Sequence, residues 1–133
     1  MSVLLPTSVG DAIDRMTILE IKFEKISDPA KRQNVVNELD LVHKALAASV
    51  ERSTRMNDLT RQLKAVNAEL WDIEDAIREC ERHRDFGAEF VRLARSVYFT
   101  NDRRAQLKRD INQLAGSAIV EEKAYSDYGT GAA

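Results

Sequence analysis

Thr100 and Arg104 break an otherwise apolar series, and they are the first place to look for chemistry. They stand where Phe86, Phe90, Leu93, Val97, Leu107, Ile111 and Leu114 keep a spacing of three and four. A guanidinium turned toward a core must meet a carboxylate, because an unpaired buried charge costs on the order of several kcal/mol. Glu69, Asp72 and Glu38 are the candidate partners. Paired, Arg104 would set the register of a polar layer. Unpaired, it would bind an anion together with Lys108, one helical turn on. A third reading lets the long side chain carry its charge out to water. Around it, helical geometry puts Asn67, Trp71, Glu74 and Arg78 on one flank of one segment. It puts Ala94, Tyr98, Asn101, Ala105, Lys108 and Asn112 on a flank of another. If the two segments run antiparallel, the flanks join into one wall. Trp71, Glu74, Asp75, Tyr98, Asn101, Arg104 and Lys108 are then the candidate ligand-binding set. The two aromatic rings would stack on a ring, the two cations would hold an anionic group, and Glu74 or Asp75 would serve as base or metal ligand. The plainer alternative is that another helix covers Trp71 and Tyr98, since aromatic side chains at helical spacing usually pack. Contact between copies of the chain is the remaining option.

The other reactive side chains carry weaker signals. Glu69 and Asp72 lie three apart, on one helix face, where two carboxylates can share Mg²⁺. All-α nucleotide pyrophosphohydrolases use such pairs on two helices, and Glu20 with Glu24 would supply the second pair. Their motif also needs adjacent glutamates, which first occur here at Glu121-Glu122. A solvated charged face explains the run Glu69–Asp75 as well. His43 and His83 have no Ser or Cys partner at a diagnostic spacing. Cys80, the only cysteine, cannot close an internal disulfide and reads as a small core residue. No catalytic residue, resident metal or cofactor is called for. The net charge of −2 gives no global pull toward nucleic acid, and the basic residues near Arg103 spiral around their helix instead of forming a stripe. Nucleic acid is therefore not an expected partner. The start lacks a basic leader, and no apolar run approaches a membrane span, so the cytoplasm is the expected location.

The elements that must position these groups are helices. Only Pro6 and Pro29 interrupt the chain, glycine is scarce, and β-branched residues do not alternate as strands require. Residues 1–7 read as an extended arm. Ser8 begins a capping signature, and a first helix runs over 8–26 with Ile13, Met16, Leu19, Phe23 and Ile26 in register; Ile18 and Ile21 widen the stripe to two-sided contact. Asp28-Pro29 restarts the chain as cap and first helical residue, giving a second helix over 29–52. Ser53 or Thr54 can cap a third, although one unbroken helix from Pro29 to His83 is an open alternative. Over 54–83, Met56, Leu59, Leu63, Val66, Leu70, Ile73, Ile77 and Cys80 keep strict three-four spacing. Asp85 caps a fourth helix over 86–115, which Gly116 ends. Two such seams joined by a short turn should fold back on each other. Charge agrees: residues 54–83 hold five basic and seven acidic side chains, and residues 88–114 hold six basic and three acidic. The tail 121–133 loses periodicity and is expected to be flexible. The expectation is a single all-α domain, a helical bundle built on a long, coiled-coil-like antiparallel hairpin.

Several segments together resemble a known family: Leu4-Leu5-Pro6-Thr7-Ser8, Ile13 to Lys22, Glu69 to Arg78, Leu93 to Tyr98, and Asn101 to Ala105. They resemble a small bacterial family of unknown function that also occurs in phage and environmental sequences. The resemblance implies no chemistry and carries over no catalytic residue. It implies a context beside surface-glycan or lipopolysaccharide biosynthesis. The expected role is a helical protein-interaction module with a protein partner or self-association, as a homodimer for example. The alternative is a small-ligand or metal-dependent nucleotide-processing enzyme that uses the Trp71, Glu74, Tyr98 and Arg104 wall.

Overall fold

A computed structural model describes residues 1–119 and 121–129. Four helices account for the regular structure, with no strand among the described residues: α1 (Val9–Lys25), α2 (Pro29–Ser49), α3 (Thr54–Arg82) and α4 (Ala88–Ala115). The protein is an all-α bundle. None of these helices is long and apolar enough to cross a membrane.

Local chemistry sets the ends. Ser8 Oγ accepts from the Asp11 amide at 3.0 Å, Asp28 Oδ2 from Lys31 at 2.9 Å, and Ser53 Oγ from Met56 at 3.0 Å. Each supplies an acceptor to an otherwise orphaned first-turn N–H. The chain breaks after Ser49, where Val50 turns extended, so α2 and α3 are separate helices. Between α3 and α4 the Asp85 amide reaches back to Cys80 O at 2.9 Å and the Arg84 amide to Glu81 O at 3.0 Å. That is a Schellman closure, and it forces Arg84 into the left-handed region at φ 53°. Asp85 does not cap α4 directly. Its Oδ1 accepts from the Gly87 amide at 3.1 Å, and α4 starts one residue later without a side-chain cap. The same closure recurs at Gly116, φ 64°, where a glycine adopts that conformation at little cost.

α3 and α4 pack along each other across this short turn, and Arg103 donates to Glu69 at 2.9 Å between them. α1 lies over the end of the pair remote from the turn. Its Gly10 amide meets Asn112 of α4, Asp14 meets both Asn67 of α3 and Arg104 of α4, and Glu24 meets Lys64 of α3. The helix therefore crosses obliquely from α4 to α3. α2 packs chiefly on α1, and its Leu46 joins the core with Met56, Leu59 and Leu63 of α3, so α1 lies between α2 and most of the α3–α4 pair. Its two-sided burial follows: Ile13, Met16 and Leu19 are sealed, as are Asp14, Thr17 and Ile21.

The core gathers Ile13, Met16, Leu46, Met56, Leu59, Leu63 and Ile111, with Leu39, Val42 and Leu107 around it. All lie at the end where α1 crosses. Toward the turn the seam thins: Ile73 and Leu93 are buried, Leu70, Ile77, Cys80 and Val97 only half-buried, and Phe86 exposed.

Candidate functional site

Arg104 has a carboxylate partner, and it is none of the three the sequence suggested. Asp14 of α1 takes it: Nε donates to Oδ1 at 2.9 Å and Nη2 to Oδ2 at 2.5 Å. Glu69 instead pairs with Arg103, and Asp72 is exposed. Asp14 is 4% exposed, so the pair is sealed on the acid side and open only at the guanidinium. Asn67 Nδ2 donates to Asp14 Oδ1 and to Thr17 Oγ1, each at 2.9 Å. Thr17 Oγ1 in turn donates to the Asp14 carbonyl at 2.8 Å. Among the described residues no buried side-chain polar atom lacks a partner. A complete buried network of this kind fixes how α1, α3 and α4 sit on one another. The signal for Asp14 was present in the sequence: it shares a helical face with Thr17 and Ile21, a carboxylate set in a run that proves sealed.

One turn beyond Arg104, Lys108 Nζ lies 3.4 Å from Asp11 and 2.8 Å from Glu121. Burial pulls its pKa down, but the hydrogen bond to Glu121 and the charges of Asp14, Glu121 and Asp11 outweigh it and hold it above the usual lysine value. Asp11 is also shifted: burial raises it, while the Thr7 hydrogen bond and Lys108 bring it below the ordinary carboxylate range. Gly10 sits so close to α4 that a Cβ there would lie 2.5 Å from the Lys108 carbonyl oxygen. Its amide donates to Asn112 Oδ1 at 2.6 Å.

The outer flank of α4 forms one wall of a groove of about 1140 Å³. Tyr98, Asn101, Arg104, Lys108 and Asn112 line it from the helix. The opposite wall is the chain's own segment 121–128, which has neither helix nor strand. Three side chains hold that segment. Glu121 bonds Lys108, Lys123 bonds Asp102, and the Tyr128 hydroxyl donates to the second oxygen of Asp102. The Tyr128 ring lies 5.2 Å from both Tyr98 and Phe99, edge-on to the latter. The bonds from Lys123 and then Tyr128 hold the Asp102 carboxyl below its ordinary value. The same bond to Asp102 pushes the Tyr128 phenol up to about 12.

The candidate set therefore divides. Tyr98, Asn101, Arg104 and Lys108 line the groove; Trp71, Glu74 and Asp75 do not. Trp71 is half-buried on α3, and Glu74 and Asp75 are exposed. Neither described wall, helix or tail, brings those three to Tyr98. α1 covers the Asn67, Arg104 and Asn112 end of the flank, and Tyr98 lies beyond it, 41% exposed. The two carboxylate pairs considered for Mg²⁺ are also apart in their bonding: Glu20 and Glu24 lie against Lys64, and Glu69 against Arg103. Among the described residues no cluster of three or more His, Cys, Asp or Glu forms a metal site. Sequence reasoning missed Asp102, Lys123 and Tyr128, because a segment without periodicity gives no sign of where it lies.

No curated protein and no solved structure matches the chain. Residues 3–131 match the family of unknown function DUF6165, and the chain belongs to that family.

Proposed function

We propose that this chain is a helical interaction module whose α4 flank receives an extended peptide segment of a protein partner. One observation carries the reading: the groove on α4 is already lined by an irregular segment without helix or strand, residues 121–128 of the same chain. Every described residue of 121–129 is exposed, so the segment buries little and is held at the surface by polar contacts and by the Tyr128 ring against Tyr98 and Phe99. Surface ion pairs of this kind are weak and exchange readily with competitors. A groove that takes an irregular segment, with a weakly held occupant, suits reversible recognition. The cytoplasm is the setting we attach to it, and a place beside surface-glycan or lipopolysaccharide biosynthesis is the context that the resemblance of its motifs implies.

The test uses the full chain with its own segment loosened by Lys123→Asp. A labelled peptide of residues 119–129 is titrated against it, and amide shifts are followed by NMR. Saturable binding with shifts grouped on Tyr98, Asn101, Asp102 and Lys108 is the expected result. Absence of binding up to millimolar peptide removes the proposal.

A small anionic ligand is the second reading. Lys108 favours it, since its side chain is 12% exposed yet faces two carboxylates, one of them on the removable segment. Arg104 weighs against it, because Asp14 already compensates its charge through two hydrogen bonds. A thermal-shift screen with nucleotides, nucleotide-sugars and Mg²⁺ separates the two, as a bound ligand raises the melting point by mass action.

A further inference from the structure

The groove on α4 reads its occupant at three points. Lys108 takes the carboxylate of Glu121, Asp102 takes the ammonium of Lys123, and Asp102 with Tyr98 and Phe99 takes the hydroxyl and ring of Tyr128. The spacing of those three occupant residues is an acid, a base two positions on, and a tyrosine five further. Asp102 is central, because it serves two of the three points with its two oxygens.

We infer that residues 121–128 gate this groove in cis, latched by Asp102, and that the partner admitted is an extended segment with the same acid–base–tyrosine spacing. The inference rests on the interaction reading above. The joint between α4 and the segment is short: only four residues of sequence separate Gly116, which turns the chain, from Glu121. A tether of this length holds its end at an effective concentration on the order of mM. A partner of equal intrinsic affinity therefore gains little occupancy at micromolar concentration while the latch holds. Loss of the latch, or a partner with stronger contacts at the same three points, opens the groove.

The experiment measures affinity for the labelled 119–129 peptide in three full-length chains: wild type, Lys123→Asp and Asp102→Lys. Both substituted residues lie at the surface, and circular dichroism checks that helicity is kept; Tyr128→Phe, which removes only the hydroxyl, gives a second, gentler release. The peptide should bind Lys123→Asp at least about tenfold tighter than wild type, from the millimolar effective concentration that the cis segment no longer supplies. It should not bind Asp102→Lys, whose own segment is also released. A peptide carrying the Lys123→Asp change should regain binding to Asp102→Lys, since the reversed pair is restored. Equal affinity in wild type, Lys123→Asp and Tyr128→Phe overturns the gate while leaving the interaction reading intact. Equal binding of the unmodified peptide to Asp102→Lys and Lys123→Asp overturns the role of Asp102. Failure of every chain to bind any peptide overturns the interaction reading itself.

Discussion

Removing one or both partners of the Asp14–Arg104 pair reads out how the bundle is held. In Arg104→Met, Asp14 keeps only the Asn67 amide at a site 4% exposed. Breaking a buried pair by deleting one partner costs about 3–5 kcal/mol, chiefly because the other charge is left sealed. Asp14→Leu strands the opposite member, whose side chain is 29% exposed on the groove side. The guanidinium can turn toward water there, so the cost should be smaller, roughly 2–3 kcal/mol. The double variant Asp14→Leu/Arg104→Met strands no charge, and Asn67 retains the Thr17 hydroxyl as acceptor. Its loss should fall below that of either single variant, giving a coupling of about 2 kcal/mol or more. Urea unfolding followed by far-UV circular dichroism supplies all four stabilities. In a melt, Arg104→Met should drop by roughly 9–20 °C, taking about 3–4 °C per kcal/mol for a chain of this length. Additive losses in the double variant, or Asp14→Leu costing more than Arg104→Met, would refute the asymmetry drawn from burial.

Other substitutions test the packing and the tail. Gly10→Ala should lose about 1–3 kcal/mol in urea unfolding, because its methyl meets the Lys108 carbonyl at 2.5 Å and backbone cannot step aside; a gain from helix propensity would mean α1 is not so close. Arg84→Gly should stabilise by roughly 1 kcal/mol, since glycine takes the left-handed position of the closure without steric cost, and an unchanged melting point would count against that turn. Leu63→Ala, at a fully buried site, should cost about 2–5 kcal/mol, and Leu70→Ala, half-buried, distinctly less. Tail docking should have two pH edges. The depressed Asp102 carboxyl contributes above its ordinary 3.8 and its contribution is lost as pH falls through the lowered value. The raised Tyr128 phenol contributes fully below 10.0 and is lost as pH rises through about 12. A difference titration of phenolate absorbance between wild type and Tyr128→Phe should place this tyrosine near 12. Ionisation at the ordinary value would show that Asp102 does not hold it.

The all-α bundle was legible because its causes are local. Three-four spacing, scarce breakers and the capping residues Ser8, Asp28 and Ser53 act within a few positions of themselves. The open alternative of one helix from Pro29 to His83 closes at Val50–Ser53, where no proline or glycine marks the break and only the Ser53 cap does. Partnership at a distance was less legible. Spacing implied that Arg104 would need an acid if it stayed buried, but the acid lies 90 positions away on a helix whose crossing angle depends on the whole core. The flank of α4 was found from geometry, so Tyr98, Asn101, Arg104 and Lys108 were named in advance. What stands opposite them could not be, since an irregular segment is placed by a few side-chain bonds and leaves no period in the sequence.

The position of α1 between α2 and the α3–α4 pair also bears on how the chain matures. It precedes the other three helices in synthesis, yet its partners Asn112 and Arg104 lie 102 and 90 residues downstream of the groups they bind. Until α4 has emerged, Asp14 lacks its guanidinium and the Gly10 amide lacks Asn112, and α3 alone can cover that side of α1. Loop closure over such separations slows the search for the native pairing. Acquisition of structure is then concentrated near the end of translation, and a chain stopped before α4 is completed should stay protease-sensitive along its entire length.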